Sequence, residues 1–364
     1  MHNSFSFSKG QLRRVVTILL FALGLLLMSG CGKLLSKFVK HEVKVAPLLS
    51  PLTDANTQQL VAEVNRLASL HSIKGKIDIQ IQDNSFAESG LAEKYKTADG
   101  TVYLQRPGQV YLRIQAPFVG TNIAEMTSDG EHFRVAVIQG DEKIKRFVLG
   151  TNNAVYPKLS APDSNKGDKK KKGAQGEQTA SVLSSIRPQH FTDALMIRPI
   201  EMSANSGTVY VKSEFYQEED ADNGQRGKKQ TERVVRGYFL LDEIAQGGES
   251  GGGARLLRRI WFDRVNGIRL ARVQTFDKDG MLESDVSYFD PKAFSSEGGS
   301  FVMPSRIELT RPHDLYKLSV SYQSPEAVDL NHEYKPSLFV LENKWQLPVL
   351  DLDEHERQRA NGKP

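Results

Sequence analysis

The feature that most constrains this chain is a two-residue alternation of apolar and polar side chains that begins at Ile73 and keeps returning. Ile73, Ile77, Ile79 and Ile81 alternate first, then Val102 and Leu104, then Val110, Leu112 and Ile114, then Phe133, Val135 and Val137. Successive side chains of a strand point to opposite faces, so each run describes a strand with one apolar face. Short reversals such as "RPGQ", "SDGE", "DRVNG" and "DKDG" separate the runs, and their Gly, Asp and Asn residues suit tight turns. Further strands are predicted over 207–214, 233–241, 256–262, 268–276, 281–289, 306–310 and 316–322. Together they make a long antiparallel meander.

Two helices interrupt this pattern. In "TDANTQQLVAEVNRLASL" Leu60, Val64 and Leu67 fall at i, i+4 and i+7, and Thr53 or Asp54 is placed to cap the first turn. In "SIRPQHFTDALMIRP" Pro188 stands at a first-turn position, and Phe191 and Leu195 share a face. Two helices are few to cover so many apolar strand faces. A barrel with a partly filled lumen would solve the problem, and a fully packed core would solve it equally.

The N-terminus carries separate information. Lys9, Arg13 and Arg14 precede an uncharged run over 15–28, which ends in Met28-Ser29-Gly30-Cys31. The run is shorter than the roughly 20 residues that cross a bilayer, and reads as a signal peptide over 1–30. Its end matches the lipobox of bacterial lipoproteins, with Met28 where Leu is commoner. Cys31 is the single cysteine of the chain, so it has no internal disulfide partner and is the expected lipid anchor. Residues 31–52 read as a lipidated tether and 53–350 as the folded domain. Within that domain 161–180 is predicted to be disordered, since it lacks large apolar residues. Residues 217–230 and 245–254 are predicted as long loops, and 351–364 as a flexible tail.

Composition excludes some functions. Removing Lys9, Arg13 and Arg14 with the signal peptide takes the formal charge from +4 to +1, which leaves no basic footprint for nucleic acid. The eight histidines are scattered, so no metal site or cofactor is predicted. Gly248-Glu249-Ser250-Gly251-Gly252 fits a nucleophile elbow in form. That elbow needs a strand before it and a helix after it, whereas this match lies in a glycine-rich loop, and no catalytic residue is assigned. Asp277 and Asp279 before Gly280 suit a turn better than a calcium loop, which would need a twelfth-position Glu. Lys169 to Lys172 reads as a solvated run, with anionic headgroups as the alternative contact.

The order of helix, "YLQRPGQVYLRI", "MTSDGEHFRV", short helix and "RRIWFDRVNGIRLARVQTFDKDGMLESDVSYFD" resembles the LolA/LolB-like superfamily of lipoprotein carriers. The local matches are Arg106-Pro107, Ser128 to Gly130, and the rhythm from Phe262 to Gly280. The resemblance implies a mainly β, α+β fold: a half-open antiparallel β-barrel with an N-terminal helix and a short lid helix, sheltering acyl chains. With Cys31 it looks more like the anchored LolB-like receptor than the soluble carrier. It implies acylated lipoproteins or lipids as partners, a periplasmic carrier protein as donor, and a place at the outer membrane facing the periplasm. An envelope scaffold that holds a partner protein without carrying lipid is the alternative, and an esterase using Ser250 a third.

Strand parity places Val102, Leu104, Val110, Leu112, Ile114, Phe133 and Val135 in the lumen, with Phe191 on the lid. Arg106 shares the parity of Val102 and Leu104, near the rim. A charge there needs hydrogen bonds, and the resemblance implies that it bonds to lid carbonyls around 186–196 and holds the cavity closed. The reversal "APFVGT" puts Pro117, Phe118 and Val119 where loops are normally polar. In the LolB-like pattern such an apolar tip contacts the membrane.

Overall fold

Asn56 starts helix α1, Thr57–Ala68. Its side chain accepts from the backbone N–H of Gln59 at 2.9 Å, and the Gln59 side chain accepts from the N–H of Asn56 at 2.8 Å. This reciprocal box moves the cap two to three residues beyond Thr53 and Asp54, because Asn56 and Gln59 have the spacing that closes it. Leu60, Val64 and Leu67 form the buried stripe of α1. Helix α2, Pro188–Leu195, has Pro188 in its first turn as the sequence predicts, and buries Phe191, Ala194 and Leu195.

The strands are β1 (Ser72–Asp83), β2 (Glu93–Lys94), β3 (Ala98–Gln105), β4 (Gln109–Gln115), β5 (Asn122–Asp129), β6 (His132–Val137) and β7 (Arg146–Thr151), then β8 (Thr208–Asp220), β9 (Arg233–Ala245), β10 (Arg255–Asp263), β11 (Arg269–Phe276), β12 (Leu282–Ser296), β13 (Gly299–Arg311), β14 (Tyr316–Tyr322), β15 (Asp329–Leu330) and β16 (Val349–Asp351). The structure, a computed structural model, describes residues 45–84, 97–117, 119–140, 145–152, 186–203, 207–221, 233–247, 253–296 and 299–361, with residues 14, 17–20, 93–94, 142, 154 and 156 besides. The chain divides into Met1–Pro47 and Leu48–Pro364. In the first unit Arg14 and Thr17–Leu20 are helical; every element named here belongs to the second.

One sheet holds the strands in the order β16-β7-β6-β5-β4-β3-β1-β14-β13-β12-β11-β10-β9-β8, with β2 and β15 also on β1. It is open rather than closed into a barrel, and mainly antiparallel, which is the half-open β architecture expected. The pairing of β16 with β7 is parallel. Helix α2 packs on β4 and β5 and also on β13, so it bridges parts of the sheet that lie on either side of β1 and β14. The apolar face of the strands and the stripes of α1 and α2 form one continuous core.

Several expectations need correction. The stretch read as a flexible tail is helix α3, Leu352–Ala360, capped by the Asp351 side chain. Its Asp353 accepts from Thr151 Oγ1 at 2.8 Å and from the Tyr156 hydroxyl. Residues 217–220 continue β8, paired with β9 up to Asp220↔Arg233, instead of forming loop. The end of the tether is bound: Leu48 bridges Val235, and Thr53 N–H donates to Arg264 O at 2.8 Å. β12 and β13 run on to Ser296↔Gly299, well past the predicted 281–289 and 306–310. The outer face of β3–β7 is also covered. Leu341 packs with Ala136 and Phe147 there, and Tyr334 meets Tyr103 edge-on, with ring centres 5.1 Å apart. Cys31, Phe118, Ser250, the 161–180 insertion, residues 222–230 of the first loop and 248–252 of the second lie outside the described residues.

Candidate functional site

The two matched turns stand side by side at one end of the sheet. Ser128 Oγ donates to Gly108 O at 3.2 Å, which links the Ser-Asp-Gly turn to the Arg-Pro turn. Asn152 Nδ2 donates to Ser128 Oγ at 2.8 Å and to Gly130 O at 2.9 Å. Asp129 Oδ1 accepts from the N–H groups of Glu131 and His132. Burial alone would raise the Asp129 carboxyl, but those N–H groups and Arg134 hold it below the usual carboxylate range. Gly130 has φ 107°, a left-handed value that suits glycine. These motif residues therefore build a rigid pair of turns, and Arg106 projects from one of them.

Arg106 is half-buried. Its Nε donates to Leu70 O at 2.9 Å, just beyond α1, and its Nη2 donates to Ile197 O at 2.7 Å, just beyond α2. The expected contact range ended at Met196, one residue short. Burial lowers the Arg106 pKa, yet a guanidinium stays charged in proteins. Two more side chains grip the same exit segment. Arg258 Nη1 donates to Arg198 O at 3.0 Å while its Nε donates to Glu243 at 2.6 Å. Asn65 of α1 donates to Ile200 O at 3.0 Å and accepts from Ile200 N–H at 2.8 Å. At the other end of the lid, Arg187 donates to Ala154 O at 2.6 Å and lies over the Tyr156 ring. Side chains thus fasten both ends of α2: Arg106, Arg258 and Asn65 hold the carbonyls just after it, and Arg187 at its start reaches out to Ala154 O.

Beneath α2 lies an apolar interior. Val102, Leu104, Val110, Leu112, Ile114, Phe133, Val135 and Phe191 are all buried and belong to the same core. In the structure they are packed neighbours within that core. The interior holds a hydrogen-bonded titratable pair. His190, 3% exposed, is hydrogen bonded through Nδ1 to the Tyr316 hydroxyl. Burial, with Arg311 adding to it, pushes the His190 pKa down to about 3, and burial pushes Tyr316 up. The imidazole is therefore neutral and enclosed. Tyr288 donates to Ala194 O at 3.2 Å from the opposite wall.

The β4–β5 reversal is where the sequence puts it. Ala116 N–H donates to Thr121 O at 2.9 Å and Gly120 N–H to Ala116 O at 3.1 Å. Gly120 has φ 68°. Pro117 is partly exposed and Val119 is 76% exposed. Asn65, Arg258, Tyr288 and His190 were missed by sequence reasoning, because each is a single polar or aromatic residue with no partner in local spacing.

An open antiparallel sheet clasped by two helices over an apolar interior is thus the class the geometry defines. No family model matches the chain, and no curated protein matches it. Among solved structures it is similar to a LolA superfamily protein from Nitrosomonas europaea, at 11% identity over 79% of this chain and 99% of that one, with a TM-score of 0.36. It is similar to a DUF1329 family protein from Desulfovibrio piger, at 11% identity over 78% and 95%, with a TM-score of 0.35. A domain described as outer membrane lipoprotein-sorting, from Vibrio parahaemolyticus, is 13% identical over 78% and 97%, with a TM-score of 0.36. All three TM-scores lie below 0.5, and the function proposed for this chain rests on its own geometry.

Proposed function

We propose that this chain is a non-enzymatic envelope lipoprotein, anchored through a lipidated Cys31, that accepts the acyl chains of lipoproteins or lipids on the apolar face of its sheet. The observation that carries this reading is the Arg106 clasp: a guanidinium from the β3–β4 turn holds the lid exit at Ile197 over an interior lined by aliphatic and aromatic side chains. Opening would exchange three polar fastenings at Ile197, Arg198 and Ile200 for acyl contacts. Apolar area removed from water contributes about 25 cal/mol per Å², so long chains can compensate for that loss without a specific polar contact. Val119 at an exposed tip would meet the headgroup region and bring the site to the bilayer. Delivery at the outer membrane, with a periplasmic carrier as donor, is the matching role.

Capture of a fluorescent triacylated lipopeptide by the purified full chain tests this reading. Binding that falls when Leu112 is replaced by Gln, while a soluble peptide without acyl chains is ignored, supports it. Absence of binding in both the wild type and Arg106→Leu would leave the packed-core scaffold as the better account.

A further inference from the structure

Strand β12 contains a break. Asp290 has a left-handed backbone, with φ 53°, and is followed by Pro291, which has no N–H to offer a neighbouring strand. The β11–β12 ladder accordingly ends at Arg272↔Ser287, although β11 begins at Arg269. β12 stays with β13, continuing from Phe289↔Arg306 to Pro291↔Pro304. The wall of the sheet therefore splits. Arg269, Leu270 and Ala271 on one side and Tyr288, Phe289 and Asp290 on the other border a cavity of about 420 Å³. That volume falls in the range of roughly 300–1,000 Å³ that small-molecule sites occupy.

The slot abuts a second space. Leu67, Tyr288, Met303 and Pro304 border it and also border a small apolar cavity of about 20 Å³ under the two helices. Leu70, Leu195, Ile197 and Tyr322 line the rest of that inner space. The mouth is charged in a particular way. Arg66 pairs with Glu63, Arg236 with Glu219 and Asp263, Arg272 with Asp285, and Asp290 with Arg306. Arg269 donates to Val265 O at 2.8 Å and has no carboxylate partner among the described residues. The acids at the mouth are thus neutralised by their own arginines, and among the described residues Arg269 is a mouth guanidinium that faces no carboxylate and keeps N–H donors to spare.

We propose that the slot between β11 and β12 is a lateral portal that admits one acyl chain of an anionic amphiphile, with the anionic head on Arg269 and the tail running past Leu270 and Tyr288 toward the space under α1 and α2. This rests on the reading that the interior accepts acyl chains, and adds where a chain enters and which head accompanies it. An apolar throat behind a cation selects for a lipid-like molecule, because a small free anion would gain nothing from Leu270 and Met303.

The test uses palmitic acid with a diazirine at the chain end, and its uncharged methyl ester, added to membranes that carry the full chain. After irradiation the labelled peptides are mapped by mass spectrometry. The portal predicts labels around Leu67–Leu70 and Leu195–Ile197 with both probes. Ala271→Trp, which fills the slot, should remove most of that label. Arg269→Gln should weaken labelling by the acid about tenfold while sparing the ester, since one hydrogen bond to a charged group is lost. Arg269 is partly exposed, so this variant keeps the test decisive if Ala271→Trp fails to fold. Interior labelling that persists in a folded Ala271→Trp, or that ignores Arg269→Gln, overturns the portal while the acyl-binding reading stands. No interior label from either probe overturns both.

Discussion

Arg106→Leu separates the clasp from the fold. Arg106 bonds to Leu70 O and to Ile197 O, but only the second bond joins the turn to the lid exit. Leu70 lies between α1 and β1 and remains with the sheet when α2 moves away. A hydrogen bond from a charged donor contributes about 1.5–3 kcal/mol when its loss leaves the acceptor unpaired. The Leu side chain recovers some apolar burial, so a net loss of about 2 kcal/mol in lid closure is expected. That corresponds to roughly a 30-fold rise in the open-to-closed ratio. Amide hydrogen exchange over 188–196 reads this ratio, because α2 amides exchange through local opening. The variant should exchange about 30-fold faster there while β10 to β13 keep their protection. Unchanged exchange in α2 would refute the clasp, and loss of protection across the sheet would make Arg106 a structural residue instead.

Acid should loosen the same helix through His190, which is buried against Tyr316 with Arg187, Arg311 and Asp314 acting on it. Its pKa is about 3 when closed against 6.5 ordinarily, so the open state takes up a proton that the closed state refuses. Stability is lost as pH falls through 6.5, by about 2 kcal/mol between pH 7 and pH 5; protection of the α2 amides, after correction for the pH dependence of intrinsic exchange, should fall over that interval in the wild type and stay level in His190→Gln. Phe191→Ala should cost about 3–5 kcal/mol in denaturant unfolding, as for a filled core position; a cost under about 1 kcal/mol would mean that the lid packs loosely. Val119→Glu should leave stability within about 0.5 kcal/mol and yet reduce lipopeptide transfer to liposomes, and normal transfer would remove the tip from the mechanism.

The strands were legible because the sheet buries one face, and a period of two records that directly. Val102, Leu104, Val110, Leu112 and Ile114 could be assigned to one face for this reason. Parity could not show whether the face opposite was packed or open, since a buried Leu112 looks the same in both. The cover on the outer face was not legible, although Tyr111 and Phe147 are buried there, Phe147 against Leu341 and Ala136. Arg106 was legible as a charge in an apolar phase. Its helpers were not: Arg258 and Asn65 reach Arg198 and Ile200 across 60 and 135 residues of sequence. The break at Asp290-Pro291 was not legible, because the strand predicted over 281–289 ended before it and the slot depends on where β11 lies. α3 was misread because its charged composition hides its packing, which runs through Asp353.

The central claim is that the apolar interior under α2 receives acyl chains, and native mass spectrometry of the full chain extracted from membranes tests it most directly. The account predicts added masses of one or more acyl chains, increased in Arg106→Leu and diminished in Leu112→Gln. Protein that carries no added acyl mass in the wild type or in Arg106→Leu, while remaining folded, would contradict it.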